Sequence, residues 1–170
     1  MERKRVAILI TGRGSNMQAL IEAARAPDYP ADIALVVSNR EDSEGLAVAR
    51  MLGVATELVD QIRFRREHRD REAYDAELHD VLTRANIEFI CLAGFMRILS
   101  SAFVHKWEAR IINIHPSLLP AFRGLKPQAQ ALAAGAKVSG CTVHYVVPEL
   151  DAGPTIAQAE VPVLVDDTEV

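Results

Sequence analysis

Short apolar runs alternate with amphipathic stretches over the first two thirds of the chain. The runs predict five strands, at Val6–Ile10, Ile33–Val37, Ala55–Val59, Phe89–Ala93 and Arg110–Ile114. Most of them are continuous runs of apolar residues rather than alternations of apolar and polar ones, which is typical of parallel strands buried on both faces. The pattern therefore predicts a parallel sheet whose connections are right-handed crossovers.

The stretches between these runs carry apolar residues at helical spacing. The members of the three clearest stripes are Met17, Leu20, Ile21 and Ala24, then Val48, Met51, Leu52 and Ala55, then Tyr74, Leu78, Val81, Leu82 and Ala85. Asp70 is a candidate N-cap for the third helix, and a shorter helix is predicted to start at Ser100 or Ser101. Strands that alternate with helices in this way predict a sheet with helices on both faces.

The pattern changes in the last third of the chain. Residues 115–124, with two prolines and a glycine, are typical of a loop, and a helix is predicted around Ala129–Ala134. Longer strands at Val138–Val147 and Ile156–Val163 follow, with little helix between them. We therefore predict an α/β fold: one Rossmann-like domain over residues 1–170, with a doubly wound, mostly parallel sheet of about seven strands and mixed C-terminal strands.

Composition excludes several classes of protein. The chain has 170 residues, 49% of them hydrophobic, and a net charge of −4. Its apolar runs are much shorter than the ~20 residues of a membrane span, and the acidic balance argues against nucleic acid as a partner. Cys91 and Cys141 lack the spacing of metal ligands and are predicted to be buried thiols in a reducing compartment. We expect a cytoplasmic protein without a metal, nucleic-acid or membrane partner, and no pattern indicates its oligomeric state.

A glycine-rich loop, residues 12–16, separates the first predicted strand from the first helix. In a doubly wound sheet this position favours a phosphate, because the first N–H groups of the helix have no internal partners. A tight turn with an N-cap and no ligand is the simpler alternative. A dinucleotide fingerprint would need a third glycine where Met17 stands and an acidic residue near Arg40. NAD is therefore disfavoured, while an NADP-binding module remains an alternative because Arg40 could meet a 2′-phosphate.

Asn113 and His115 alternate along the fifth predicted strand and therefore point to the same side of the sheet. They lie at its carboxyl end, where open α/β sheets bind ligands. An amide beside an imidazole can donate to a developing oxyanion and carry a proton near neutral pH. The alternative is that both side chains only cap the strand end. A carboxylate partner for the histidine is expected from Asp151, with Glu149 as the competitor.

Four motifs occur in the order and spacing of one known family, which covers essentially the whole chain. They are Gly12-x-Gly14-Ser15-Asn16, Leu92-Ala93-Gly94-Phe95-Met96-Arg97-Ile98-Leu99, Asn113-x-His115-Pro116-Ser117-Leu118-Leu119-Pro120 and Asp151-x-Gly153-Pro154. The chain thus resembles the phosphoribosylglycinamide formyltransferases, which use 10-formyltetrahydrofolate in purine biosynthesis. The resemblance implies the formyltransferase fold and transfer of a formyl group to glycinamide ribonucleotide.

The resemblance also implies a role for individual residues. Gly14, Ser15 and Asn16 would bind the phosphate of the ribonucleotide, and Asn113, His115 and Asp151 would be catalytic. The folate co-substrate would contact Arg71, Met96, Arg97, Ile98, Leu99, Asn113 and His144. From the residues alone, simpler interpretations remain: Arg71 belongs to an arginine-rich stretch typical of a solvated loop and helix start, Arg97 could be a surface charge, and His144 could be a core histidine.

Two features leave questions open. Gln128 stands where family members often carry a histidine, so an acid–base role in that loop is doubtful. Asp166 and Glu169 resemble a capping box, which predicts a helix start at the end of the sequence and a missing C-terminal helix and tail that would complete the substrate site. A formyltetrahydrofolate hydrolase, or another transformylase of the family, is the alternative function.

Overall fold

A seven-stranded sheet forms the centre of residues 2–169, the part of the chain that the computed structural model describes. The strands are β1 (Lys4–Ile10), β2 (Ala31–Ser38), β3 (Thr56–Leu58), β4 (Phe89–Leu92), β5 (Ile111–His115), β6 (Val138–Tyr145) and β7 (Thr155–Pro162). The helices are α1 (Ser15–Ala23), α2 (Glu44–Met51), α3 (Gln61–Arg66), α4 (Arg71–Arg84), α5 (Ser101–Lys106) and α6 (Pro127–Ala133).

The order of the strands is β3-β2-β1-β4-β5-β6-β7. The pairs from β3 to β5 are parallel, while β6 and β7 are antiparallel to their neighbours. The predicted doubly wound, mostly parallel sheet with mixed C-terminal strands is therefore confirmed. The order reverses at β1, so the carboxyl ends of β1 and β4 flank the crevice where this type of sheet binds ligands.

Alternate residues of β1 pack into two different apolar clusters. Ala7 and Leu9 lie in the cluster that α4 and α5 cover, while Ile8 and Ile10 lie in the one that α1 and α2 cover. Both faces of the strand are thus removed from water, which explains why its sequence is a continuous apolar run without polar alternation.

Two of the predicted helix starts are confirmed by their caps. The Asp70 carboxylate accepts a hydrogen bond from the Ala73 N–H at 2.8 Å and begins α4. The Ser100 hydroxyl accepts one from the Phe103 N–H at 3.2 Å and begins α5, which decides between the two serines. These side chains satisfy N–H groups that the first turn of a helix leaves free.

The structure departs from the predictions at α3 and at the end of the chain. Helix α3 overlaps the arginine-rich stretch before Arg71, which the sequence suggested was a solvated loop. The sequence did not reveal this helix, because its six residues bury only Phe64 and are too few to show a helical stripe. The capping box predicted at Asp166 is not formed within residues 2–169. The neighbouring Asp167 carboxylate instead accepts a hydrogen bond from the N–H of Leu164, three residues earlier in the chain, at 2.7 Å, in a turn.

The two cysteines are free thiols and half-buried, one on β4 and one on β6. Burial raises the pKa of Cys91 to about 11, so this thiol stays protonated at neutral pH. Within residues 2–169, every helix is too short or too polar to span a bilayer.

Candidate active site at the carboxyl ends of the strands

A histidine and a carboxylate face each other at the end of β5. His115 is the last residue of that strand, and Asp151 lies in the loop between β6 and β7. The His115 Nδ1 and the Asp151 Oδ2 are 3.5 Å apart, and the two side chains are only 7% and 8% exposed. Because the pair is buried, the carboxylate acts on the imidazole with little screening by water.

A second histidine completes the group from the neighbouring strand. Strand β6 runs antiparallel to β5 and places His144 directly opposite Asn113. The Asn113 Nδ2 lies 3.2 Å from the His144 Nε2, and that nitrogen is 3.9 Å from the Asp151 Oδ1. The structure therefore brings Asn113, His115, His144 and Asp151 together, as the sequence predicts for three of them and as the resemblance implies for His144.

Asp151, and not Glu149, is the partner of His115. Glu149 is exposed to solvent in the same loop, whereas the backbone at Asp151 adopts the left-handed conformation with φ +50°. Its Oδ2 also accepts a hydrogen bond from the Gly124 N–H at 2.9 Å. This conformation, which aspartate tolerates better than most residues, holds the side chain in the site.

The hydrogen-bond partners constrain the protons on the two rings. The His144 Nδ1 faces the Tyr145 carbonyl at 2.9 Å, so it carries the hydrogen, and Nε2 of a neutral ring can accept from the Asn113 amide. The His115 Nε2 faces the Phe122 carbonyl at 3.0 Å, while its Nδ1 faces a carboxylate. The Nε2 can therefore donate to the Phe122 carbonyl, and a hydrogen on Nδ1 would face the Asp151 carboxylate. The His115 ring can pass a proton to a bound substrate only when its contact with Phe122 or with Asp151 is broken.

The glycine loop leaves donors free at the start of α1. Gly14 occupies the N-cap position with φ +77°, and within residues 2–169 no side chain caps this helix. Ser15 and Asn16 are exposed, and the first turn carries no acidic residue. The free N–H groups and the positive end of the helix dipole therefore face solvent, as an anion site requires.

Gly45, which the sequence analysis did not single out, holds this loop in place. The Gly12 carbonyl accepts from the Ser43 hydroxyl at 2.9 Å and from the Gly45 N–H at 3.0 Å. A Cβ on Gly45 would lie 2.5 Å from the buried Ile10 Cδ1 and 3.0 Å from the Gly12 carbonyl oxygen. The start of α2 can approach the loop this closely only because residue 45 has no side chain.

We expect Gly45→Ala to lower the free energy of unfolding by about 1–3 kcal/mol, because the added methyl overpacks the loop. Urea unfolding followed by circular dichroism measures the change. Gly12→Ala is the matched control, since a Cβ there meets nothing within 4 Å. That variant should stay within about 1 kcal/mol of the original chain. Equal unfolding free energies for the two variants would contradict the role given to Gly45.

A cleft of about 390 Å³ lies between α3, the start of α4 and the segment after β4. Four of the residues that the resemblance assigns to folate line it, namely Arg71, Met96, Arg97 and Ile98. Met96 and Ile98 are exposed there, whereas the Leu99 side chain is buried in the core, so only its backbone can face a ligand. The structure thus groups these four residues around one cleft with a cationic rim.

Arg97 is not a simple surface charge. Its guanidinium lies 3.8 Å above the ring of Tyr74, and burial lowers the pKa of Arg97, an effect opposed by Tyr74 and Asp75 nearby. Burial also raises the pKa of the Tyr74 hydroxyl.

The buried Asp75 carboxylate accepts from the Ser100 N–H at 2.7 Å, which anchors the far end of the Met96–Leu99 segment. No motif in the sequence points to Asp75.

The comparisons with known proteins identify the family. A family model described as formyl transferase matches residues 4–170. The chain belongs to the formyl transferase family. Phosphoribosylglycinamide formyltransferase of Escherichia coli (strain K12) is 44% identical over 164 residues, which are 96% of this chain and 76% of that protein. The crystal structure of phosphoribosylglycinamide formyltransferase from Brucella melitensis matches with a TM-score of 0.90 and 48% identity, covering 99% of this chain and 84% of that one.

A much longer relative contains a similar region. Trifunctional purine biosynthetic protein adenosine-3 of Drosophila melanogaster is 51% identical over 169 residues, which are 98% of this chain but only 12% of that protein. The chain therefore spans a small part of this relative and about three quarters of the Escherichia coli one. The family and the formyltransferase fold that the motifs predicted are confirmed.

Proposed function

We propose that this formyl transferase moves the formyl group of 10-formyltetrahydrofolate to the amine of phosphoribosylglycinamide, a step of purine biosynthesis. The observation that carries the proposal is the buried contact between His115 and Asp151, 3.5 Å apart, on the sheet edge that also holds Asn113. The names of the relatives support this chemistry. The two free thiols support a reducing, cytoplasmic location.

The phosphate of the ribonucleotide would bind at Gly14, Ser15 and Asn16. The unpartnered N–H groups of α1 and the exposed Ser15 hydroxyl and Asn16 amide supply the donors that a phosphate dianion needs. A hydrolase of the same family would not need this site, and an NADP module would not need the buried histidine–carboxylate pair. The glycine loop and the pair together therefore favour the formyltransferase over both alternatives.

The folate would lie between the cleft and the histidines, against Arg71, Met96, Arg97, Ile98, Leu99, Asn113 and His144. Exposed Met96 and Ile98 offer apolar contacts for the flat ring system, and backbone groups of their segment offer hydrogen bonds. The arginines on the rim of the cleft complement the carboxylates at the other end of a folate.

The reaction would proceed without a metal. The amine attacks the formyl carbon, and the formyl oxygen becomes an oxyanion in a tetrahedral intermediate that Asn113 and protonated His115 stabilise. The carbon–N10 bond then breaks, N10 takes a proton from His115, and the proton of the attacking amine leaves through Asp151 and water. The products are the formylated amide and tetrahydrofolate. The Asp151 carboxylate, 3.5 Å from the His115 Nδ1, would hold the imidazole in position throughout.

An assay of formyl loss tests the function directly. We expect 10-formyltetrahydrofolate to lose its formyl group only when phosphoribosylglycinamide is present, with one formylated product for each tetrahydrofolate. Chromatography with a labelled formyl group measures both products. Release of formate without the amine would instead establish a hydrolase, and no formyl loss with tight NADP binding would establish the binding module.

A further inference from the structure

Thr11 connects the glycine loop to the segment after β4. It directly follows β1, and its backbone N–H donates to the Gly94 carbonyl at 3.1 Å. Its hydroxyl accepts from the Met96 N–H at 2.7 Å. One residue therefore makes two hydrogen bonds to the start of the segment proposed to bind folate, and it lies three positions before Gly14 of the proposed phosphate site.

A buried asparagine orients the Thr11 hydroxyl. The hydroxyl donates to the Asn39 Oδ1 at 2.8 Å, and Asn39, which follows β2, has no exposed surface. The Asn39 Nδ2 in turn donates to the Gln61 Oε1 at 3.2 Å. Because the only hydrogen of the hydroxyl points to Asn39, its lone pairs are free to accept the Met96 N–H. Each bond of such a chain strengthens the next.

The segment that Thr11 holds has little secondary structure of its own. Residues 93–100 form neither a helix nor a strand, so the ladder of β4 ends at Leu92 and α5 begins only at Ser101. Asp75 fixes the far end through the Ser100 N–H, and Thr11 fixes the near end. A loop between two such anchors keeps its backbone groups in one arrangement only while both anchors are formed.

We infer that Thr11 is a positioning residue, whose hydroxyl, oriented by Asn39, holds the Met96 backbone in the arrangement that binds the pteridine end of the folate. The inference rests on the proposed function for its substrate. The contact with the Met96 N–H requires a side chain at position 11 that carries a hydroxyl on its Cβ. Serine therefore satisfies this requirement, whereas valine, which has nearly the same shape as threonine, does not.

The matched pair Thr11→Val and Thr11→Ser tests this inference. For Thr11→Val we expect the KM for 10-formyltetrahydrofolate and the Kd for tetrahydrofolate to rise by up to about tenfold, because the Met96 N–H loses its acceptor and the buried Asn39 loses its donor. The kcat should change by less than about threefold. Thr11→Ser should stay within about twofold of the original chain in all three quantities. Hydrogen–deuterium exchange of the peptide that contains Met96 should accelerate in the valine variant only.

The outcomes separate this inference from the proposed function. If the original chain shows no formyl transfer, the proposed function fails, while tetrahydrofolate affinity and amide exchange still decide the role of Thr11. Equal amide exchange and equal Kd in Thr11→Val and the original chain would overturn the inference. So would equal losses in both variants, since the hydroxyl would then not matter. Where Thr11→Val does not fold, Thr11→Ala takes its place against the same serine variant.

Discussion

Asp151→Asn is expected to lower kcat for formyl transfer by about 10²–10³-fold while the protein stays folded. The substitution removes the negative charge that faces the His115 Nδ1 at 3.5 Å. It retains the shape of the side chain and an oxygen that can accept from the Gly124 N–H. Asparagine also tolerates the left-handed backbone at this position, φ +50°, which alanine adopts less readily.

Glu149→Gln is the matched control for this variant, because it removes a carboxylate from the same loop at an exposed position. We expect kcat of the control to stay within about twofold of the original chain, as for most surface substitutions. Steady-state kinetics with both substrates, together with urea unfolding, distinguishes lost chemistry from lost structure. If Asp151→Asn retained full turnover, the assigned role of its carboxylate would be wrong.

The strands could be predicted because their packing leaves a one-dimensional pattern. Strands β1 and β2 are buried over most of their length, so their apolar runs stand out, whereas the short edge strand β3 is mostly exposed. The pairing of Asn113 with His115 on one face also follows from the two-residue period of a strand. Helix α3, by contrast, buries one phenylalanine in six residues, and a single apolar residue cannot reveal a period.

The way the loops hold the site together could not be predicted, because it depends on backbone conformation and long-range contacts. The sequence favours Asp151 but leaves Glu149 as a competitor, and the positive φ of Asp151 turns its carboxylate inward. The partners supplied by Phe122 and Gly124 are main-chain groups, for which any residue type would serve.

Contacts between elements distant in sequence were equally hidden from the sequence. Thr11 and Met96 are 85 residues apart, and Thr11 belongs to none of the four motifs in the sequence. Gly45 lies 31 residues after Gly14 and has no turn or cap signal that marks it, because its role is to let one backbone approach another. Sequence patterns thus pointed to the residues of the candidate site, and the contacts that hold them in position became visible only in the fold.

His115→Ala is expected to have the largest effect of any single substitution, a loss of about 10³-fold or more in kcat. In the proposed mechanism the His115 imidazole both donates to the oxyanion and passes a proton to N10. We expect its neighbours not to replace it, because the His144 Nδ1 faces the Tyr145 carbonyl and its Nε2 faces the Asn113 amide, and an amide such as Asn113 carries no transferable proton at neutral pH. The KM values should change less than kcat, since most of the proposed phosphate and folate contacts lie outside the group around His115.

His115→Gln separates the two roles of the ring. The glutamine amide can donate a hydrogen bond, to the Phe122 carbonyl or to an oxyanion, but it cannot carry a proton at neutral pH. If proton transfer to N10 limits the reaction, His115→Gln should lose nearly as much kcat as His115→Ala. If hydrogen bonding to the oxyanion is sufficient, the glutamine variant should recover about 10-fold or more. Unchanged kcat in His115→Ala, with Glu149→Gln assayed alongside, would remove His115 from the mechanism.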